Sequence, residues 1–335
     1  MPEPIIELKN IYQTFNKGRA TVPVLRDINL QVTPLERLCL VGESGCGKTT
    51  TGRILSGLLK PTRGSVFFEG KDVAKLKGED YKHFRRSVQI IHQDPYASLN
   101  PTHTIYDILS FPLFRHKFVR SRPQARQRVG ELLEMVDLPS QDIMDKYPYQ
   151  LSGGQRQRVS IARALTTNPK VILADEAVSM VDVSIRIGLL KMLTDMTKNL
   201  GVTIVFITHD LAIAKHFSWE DRIGVMYLGR LIEIGPTAEI ITNPQHPYTR
   251  VLLAAIPEAD PEKTRHKEQI LLRSEDIPSL TKLPSGCVFH TRCPWYVPEV
   301  CDIIEPNLEP IAGTNIETAC TILTEGRPLT LYKEA

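Results

Sequence analysis

GESGCGKTT, residues 42–50, places three glycines, a lysine and three hydroxyl side chains in nine positions. Gly42, four further residues and then Gly47-Lys48-Thr49 make the phosphate-loop spacing. Glycine is expected here because the chain must wrap a phosphate so closely that a Cβ would collide with it, with several backbone N–H groups pointing inward together. Ser44, Gly45, Cys46 and Thr50 complete the expected cradle. The loop follows RLCLVG, whose Leu38–Val41 run reads as a buried strand, and it opens KTTTGRILSGLL, which has helical apolar spacing. That order sets the positive end of a helix dipole beneath the anion. Lys48 is placed to reach the β and γ phosphates of a nucleotide, and Thr49 to offer its hydroxyl to Mg²⁺.

With 335 residues and 42% hydrophobic content, the chain can bury one large core and a smaller one. Its net charge of +3 is too small and too dispersed to indicate nucleic acid as a partner. No apolar run approaches the roughly 18 residues of a membrane span, and MPEPIIELKN lacks a signal-peptide profile, so a cytosolic protein is expected. Two of the six cysteines, Cys39 and Cys46, sit in or beside the phosphate loop, whereas Cys287, Cys293, Cys301 and Cys320 crowd the tail. In a reducing compartment such a cluster points to metal more than to disulfides.

PIIELKNIYQTF and VLRDINLQV alternate like strands with one wet face, and GSVFFEG and VQIIHQ read as further strands. Helical spacing dominates from about Pro101 to Gln150, and KVILADE, VTIVFITHD and RIGVMYLGRLIEIG restore strands. Strands alternating with helices imply an α/β fold with a mainly parallel core, here interrupted by a helical insertion. VILA runs straight into Asp175 and Glu176. A first acid there holds Mg²⁺, and a second can orient the attacking water.

LSGGQRQRVSIARAL, residues 151–165, resembles the signature of the ABC-type ATPases. The resemblance implies a P-loop cassette of residues 1–240 that binds ATP and Mg²⁺: a mainly parallel sheet with an antiparallel β part and a helical subdomain at about 95–165. It implies that Leu151, Ser152, Gly153, Gly154 and Gln155 cover the γ-phosphate held by a second cassette, paired head to tail. IIHQDPYASLNP resembles the Q-loop, so Gln93 would touch Mg²⁺ or the lytic water. FITHD resembles the switch segment and assigns His209 to the γ-phosphate, although a histidine before Asp210 also suits a helix cap. SMVD matches the D-loop at Asp182, and Phe15 is placed like the adenine-stacking aromatic, with Tyr12 competing. The family usually runs Asp-Glu-Pro-Thr-Ser-Ala-Leu-Asp where this chain has DEAVSMVD, so Ala177, Met180 and Val181 depart from it without removing a ligand.

NPQHPYTRVLLAAIP, residues 243–257, and GCVFHTRCP, residues 286–294, resemble the C-terminal extension of dipeptide and oligopeptide importer ATPases, giving a second unit at 241–335. The resemblance implies an energising subunit for solute import that is peripheral on the cytoplasmic face of a membrane. Its partners would be a paralogous ATPase chain, two transmembrane permease subunits and an extracytoplasmic solute-binding protein. Nickel and oligosaccharides are alternative cargoes, and a soluble ABC protein acting on nucleic acid is a more distant reading. The tail cysteines have five, seven and eighteen residues between them. Four thiolates suit zinc or an iron–sulfur cluster. The lack of a Cys-x₂-Cys pair weakens zinc, and the resemblance favours a [4Fe-4S] cluster over Zn²⁺ or free thiols, with His290 as a substitute ligand.

Overall fold

A computed structural model describes residues 3–18, 20–256 and 270–332. A four-stranded antiparallel sheet, ordered β2-β1-β4-β5, is built from β1 (Ile6–Lys17), β2 (Ala20–Val32), β4 (Arg63–Phe68) and β5 (Lys71–Asp72). Its alternating residues Ile6, Leu8, Ile11, Leu25, Ile28 and Leu30 all turn inward.

β3 (Arg37–Val41), which feeds the glycine-rich loop, is buried along its whole length. It lies at the centre of a second sheet, between two parallel partners, β8 (Thr203–Ile207) and β9 (Arg222–Tyr227). Parallel strands covered on both faces need continuous apolar runs, as RLCLV and TIVFI are. β7 (Val171–Asp175) and β6 (Val88–Ile91) continue the parallel set beyond β8, and β10 (Arg230–Pro236) folds back antiparallel on β9. The period of two divides this sheet between two cores. Leu38, Leu40, Leu173, Val205 and Ile207 face the antiparallel sheet and α1 (Lys48–Leu55). Cys39, Val41, Ile172, Ala174, Ile204 and Phe206 face the other helices.

α2 (Gly78–Ser87) precedes β6. Between β6 and β7 stands the helical insertion: α3 (Pro95–Ser98), α4 (Ile105–Arg115), α5 (Arg122–Glu134), α6 (Ser140–Ile143) and α7 (Gly153–Leu165). Thr104 starts α4 through a reciprocal box with Asp107, and Ser121 caps α5. α8 (Val183–Leu200) and α9 (Leu211–Phe217) follow β7 and β8.

The tail does not pack as a separate body. After α10 (Thr237–Thr242) and α11 (Pro247–Ala254), β11 (Glu309–Pro310) and β12 (Glu317–Thr318) extend the large sheet, with Glu233 opposite Thr318 and Ile234 opposite Glu317. Tyr248, Val288, Phe289, Cys293 and Ile316 join the apolar cluster that holds Phe206 and Tyr227. The apolar core therefore runs on across the division expected near residue 240.

One carboxylate holds this junction. Glu233 is fully buried on β10, and its Oε1 accepts from the backbone N–H groups of Gln245 (2.7 Å) and His246 (3.2 Å), just ahead of α11. Its Oε2 has no well-placed partner, and burial pushes its pKa up from 4.5 to about 7. A folded-state pKa above the unfolded one gives stability that is present at low pH and lost as pH rises through the folded value. Relative to Glu233→Gln, which keeps an acceptor oxygen but cannot ionise, the wild type should therefore lose about 3 kcal/mol between pH 4.5 and pH 8. Urea unfolding of both proteins across that range checks this; a constant gap would show that Glu233 stays ionised when folded.

Candidate active site

The loop between β3 and α1 is seated from behind. A Cβ on Gly42 (φ +150°) would lie 2.1 Å from the Met226 carbonyl oxygen of β9, and one on Gly47 (φ +106°) would lie 2.5 Å from Leu25 Cδ2. Gly45 (φ +78°) has open space where its Cβ would be. At Gly42 and Gly47 the protein's own atoms already exclude a Cβ, whatever the loop holds. Gly45 and Ser44 form the exposed tip, while Cys46 packs inward with its thiol pKa raised by burial. Lys48 is buried, and its Nζ donates to the carbonyl oxygens of Gly42 (2.7 Å) and Glu43 (2.9 Å). Thr50 is half-buried on the first turn of α1, which carries no acidic residue to offset its dipole.

Thr49 Oγ1 donates to Asp175 Oδ1 at 3.0 Å, joining the loop to the end of β7. Burial pushes the Asp175 pKa up, with the neighbouring Glu176 charge adding to the effect. A hydroxyl and a largely buried carboxylate at this junction are two hard oxygen donors of the kind that Mg²⁺ takes. Gln93 reaches the neighbouring acid: its Nε2 donates to Glu176 Oε2 at 2.7 Å, and His209 Nδ1 lies 3.1 Å from Glu176 Oε1. The helix-cap alternative for His209 falls to Asp210, whose Oδ1 accepts from Ala212 and Ile213 N–H.

Glu176 itself has a left-handed backbone (φ +47°). Such a conformation persists only where neighbours fix it. Its N–H donates to the Ile207 carbonyl at 2.9 Å, and its own carbonyl accepts from the Ser179 hydroxyl at 2.8 Å. Ala177 and Val181 are buried next to it and Met180 is exposed, so the departures at 177–181 bring no polar group into the site.

The signature turn is bonded to itself. Ser152 Oγ accepts from Gln155 N–H, and Gln155 Oε1 accepts from Ser152 N–H at 3.0 Å. Leu151 is buried, a Cβ on Gly154 would touch Ile185 at 3.0 Å, and Gly153 is open. α7 grips the short helix that follows Gln93: the Arg156 guanidinium lies 3.8 Å over the Tyr96 ring, and Arg163 donates to the Ser98 carbonyl. Asp182 begins α8 through its carbonyl, with no capping bond from its side chain. Phe15 is exposed on β1, whereas the Tyr12 ring lies under Arg63 at 5.2 Å.

Two family profiles match this chain: ABC transporter over residues 25–179, and the oligopeptide/dipeptide transporter C-terminal region over residues 232–301. Over 309 residues, 92% of each chain, it is 44% identical to the putative oligopeptide transport ATP-binding protein YkfD of Bacillus subtilis (strain 168). The chain belongs to the oligopeptide-transporter family of ABC ATPases. It is also 43% identical to the oligopeptide transport ATP-binding protein OppF of Salmonella typhimurium over 303 residues, 90% of this chain and 89% of the relative. The dimeric structure of MJ0796, a bacterial ABC transporter cassette, is similar at a TM-score of 0.63 and 31% identity, over 69% of this chain and 98% of that one.

The metal expected in the extension of this ABC ATPase is not supported. Among the described residues no three His, Cys, Asp or Glu side chains gather closely enough to hold an ion. Burial pushes the thiols of Cys287 (to about 12), Cys293, Cys301 and Cys320 upward, and for Cys287, Cys293 and Cys320 the neighbouring thiols add to the effect. They are therefore neighbours without converging on one point. Cys301 Sγ accepts from Val297 N–H at 3.4 Å, and the His290 ring is turned to the Cys287 carbonyl at 2.9 Å.

Sequence reasoning missed three residues that meet at the loop of this ABC ATPase. Glu43 N–H donates to Tyr248 Oη at 3.1 Å, and Arg292 Nη1 lies 3.1 and 3.2 Å from the two Glu43 carboxylate oxygens. GCVFHTRCP contains Arg292, but there the cysteines drew the reading.

The glycine geometry separates two substitutions. Gly42→Ala should cost about 3 kcal/mol or more, because backbone must move, whereas Gly45→Ala should cost about 1–2 kcal/mol of backbone strain alone. Equal costs in denaturant unfolding would show that φ, not the β9 contact, dictates glycine at 42.

Proposed function

We propose that this chain hydrolyses ATP to drive peptide import through separate membrane-spanning subunits fed by an extracytoplasmic solute-binding protein. Residues 1–240 act as the cassette and 241–335 as its support. Support for peptide as cargo comes from the extension, because the relatives matched over 92% and 90% of this chain are described as oligopeptide transport proteins. No helix among the described residues is long and apolar enough to cross a membrane, in keeping with a peripheral subunit at the cytoplasmic face.

The observation that carries the hydrolytic reading is Glu176, held at one oxygen by Gln93 and at the other by His209, directly after Asp175 with its Thr49 partner. Lys48 and the loop residues Gly42, Ser44, Gly45, Cys46, Gly47, Thr49 and Thr50 receive the phosphates. Thr49 and Asp175, with Gln93 nearby, hold Mg²⁺, which supplies charge neutralisation when bound. Glu176 takes the proton of the attacking water, and Gln93 and His209 fix its carboxylate in the meantime. Phe15 offers a stacking face to adenine. The turn at Leu151–Gln155 and Asp182 serve the site of a second ATPase chain, a paralogue of this one.

Glu176→Gln keeps the size and one oxygen of the side chain but loses the base. Turnover should fall by about 10²–10⁴-fold while ATP still binds. Lys48→Ala should weaken ATP binding itself, since that charge meets the phosphates before the transition state. Calorimetry on the purified chain and phosphate release from the assembled transporter separate the two effects. Near-normal turnover with Glu176→Gln would remove Glu176 from its role.

A further inference from the structure

The contacts at Glu43 join two regions that the proposed function leaves unconnected. The Gly42–Glu43 peptide is pinned from both sides: its carbonyl accepts from Lys48 Nζ at 2.7 Å, and its N–H donates to Tyr248 Oη at 3.1 Å. A flip of that peptide would break both bonds at once, and glycine at 42 offers little torsional resistance to one. The Glu43 side chain supplies a third restraint through Arg292. That guanidinium is buried, and Glu43 is its only carboxylate among the described residues. It also donates to Tyr227 Oη at 3.3 Å. A buried charge with one counter-charge gives a strongly directional restraint, because movement leaves it unpaired. Tyr248, in turn, is fixed within an aromatic trio, its ring centroid 4.6 Å from that of Tyr227 and 5.4 Å from that of Phe289.

We propose that Tyr248 and Arg292 are positioning residues for the phosphate loop, through which the C-terminal extension sets the ATP affinity of the cassette. They act through Glu43: with its peptide held, the Gly42 and Glu43 carbonyls stay turned to Lys48, and the ammonium is presented in one place. This gives the conspicuous tail segments NPQHPYTR and GCVFHTRCP a shared task, since one carries Tyr248 and the other Arg292. The proposal rests on the nucleotide-site reading above. Coupling between sites is reciprocal, so nucleotide must also tighten the extension.

The test uses the full chain and the non-hydrolysable analogue AMP-PNP. Tyr248→Phe keeps the ring in its trio and removes only the acceptor oxygen; Arg292→Lys keeps the charge and loses the planar fork. Each should weaken AMP-PNP binding about five- to tenfold. In wild type, AMP-PNP should slow amide hydrogen exchange across residues 247–254 and 286–293, and that slowing should vanish in Tyr248→Phe. A merely structural role would change protection with and without nucleotide alike. Should Arg292→Lys fail to fold, Tyr248→Phe still decides the matter. If wild type binds AMP-PNP and Lys48→Ala weakens it, yet Tyr248→Phe binds within twofold of wild type with the same exchange response, this proposal alone is overturned. If wild type does not bind AMP-PNP at all, the nucleotide reading and this proposal are overturned together.

Discussion

The close approach of the glycine-rich loop to the backbone of β9 is the constraint on which the rest of the structure depends. Where Gly42 meets the Met226 carbonyl there is no room for a side-chain atom, so the loop has one seat and one shape. The turn after β9 completes that seat. Gly229 N–H donates to the Cys46 carbonyl at 2.9 Å, and the Gly229 carbonyl accepts from Arg26 N–H of β2 at 2.8 Å. Antiparallel sheet, parallel sheet and loop are therefore locked at one point, and the loop inherits the rigidity of both sheets. A site whose task is to receive a highly charged ligand benefits, because dipoles fixed beforehand need no reorganisation on binding.

A second consequence lies at Glu176, where a left-handed backbone and two side-chain partners converge. One partner, Gln93, leads into α3, and α3 is held by the signature helix through Arg156 and Arg163. The helical insertion and the carboxylate are thus joined by a short chain of side-chain contacts. Strain at Glu176 suits such a junction, because a residue kept from its relaxed conformation by several partners responds when one of them leaves.

What could be read from the chain follows from the range of the forces involved. Strand, loop and helix around residues 38–55 and the acids closing β7 are local arrangements, and the residues that make them are neighbours in sequence. The support of the loop is not local: Tyr248 and Arg292 stand 205 and 249 residues from Glu43. Neither periodicity nor composition marks such a pairing, and an arginine between cysteines draws no notice of its own. Crowding of the tail cysteines along the chain, for the complementary reason, does not by itself bring their side chains to one point. Nor could strands as short as β11 and β12 be foreseen, because two residues carry no alternation. Only the existing edge of β10 organises them.

That edge gives the tail a further role. A sheet with a bare outer strand offers unpaired N–H and C=O groups to any other chain, and so invites unwanted growth. Here β10 is covered by β12, and β12 by β11, whose two residues are a charged glutamate and a proline with no N–H to give. The sheet therefore ends on a strand that a stray chain cannot readily extend, so a protein produced without its last thirty or so residues should be prone to clump however well its nucleotide site is formed.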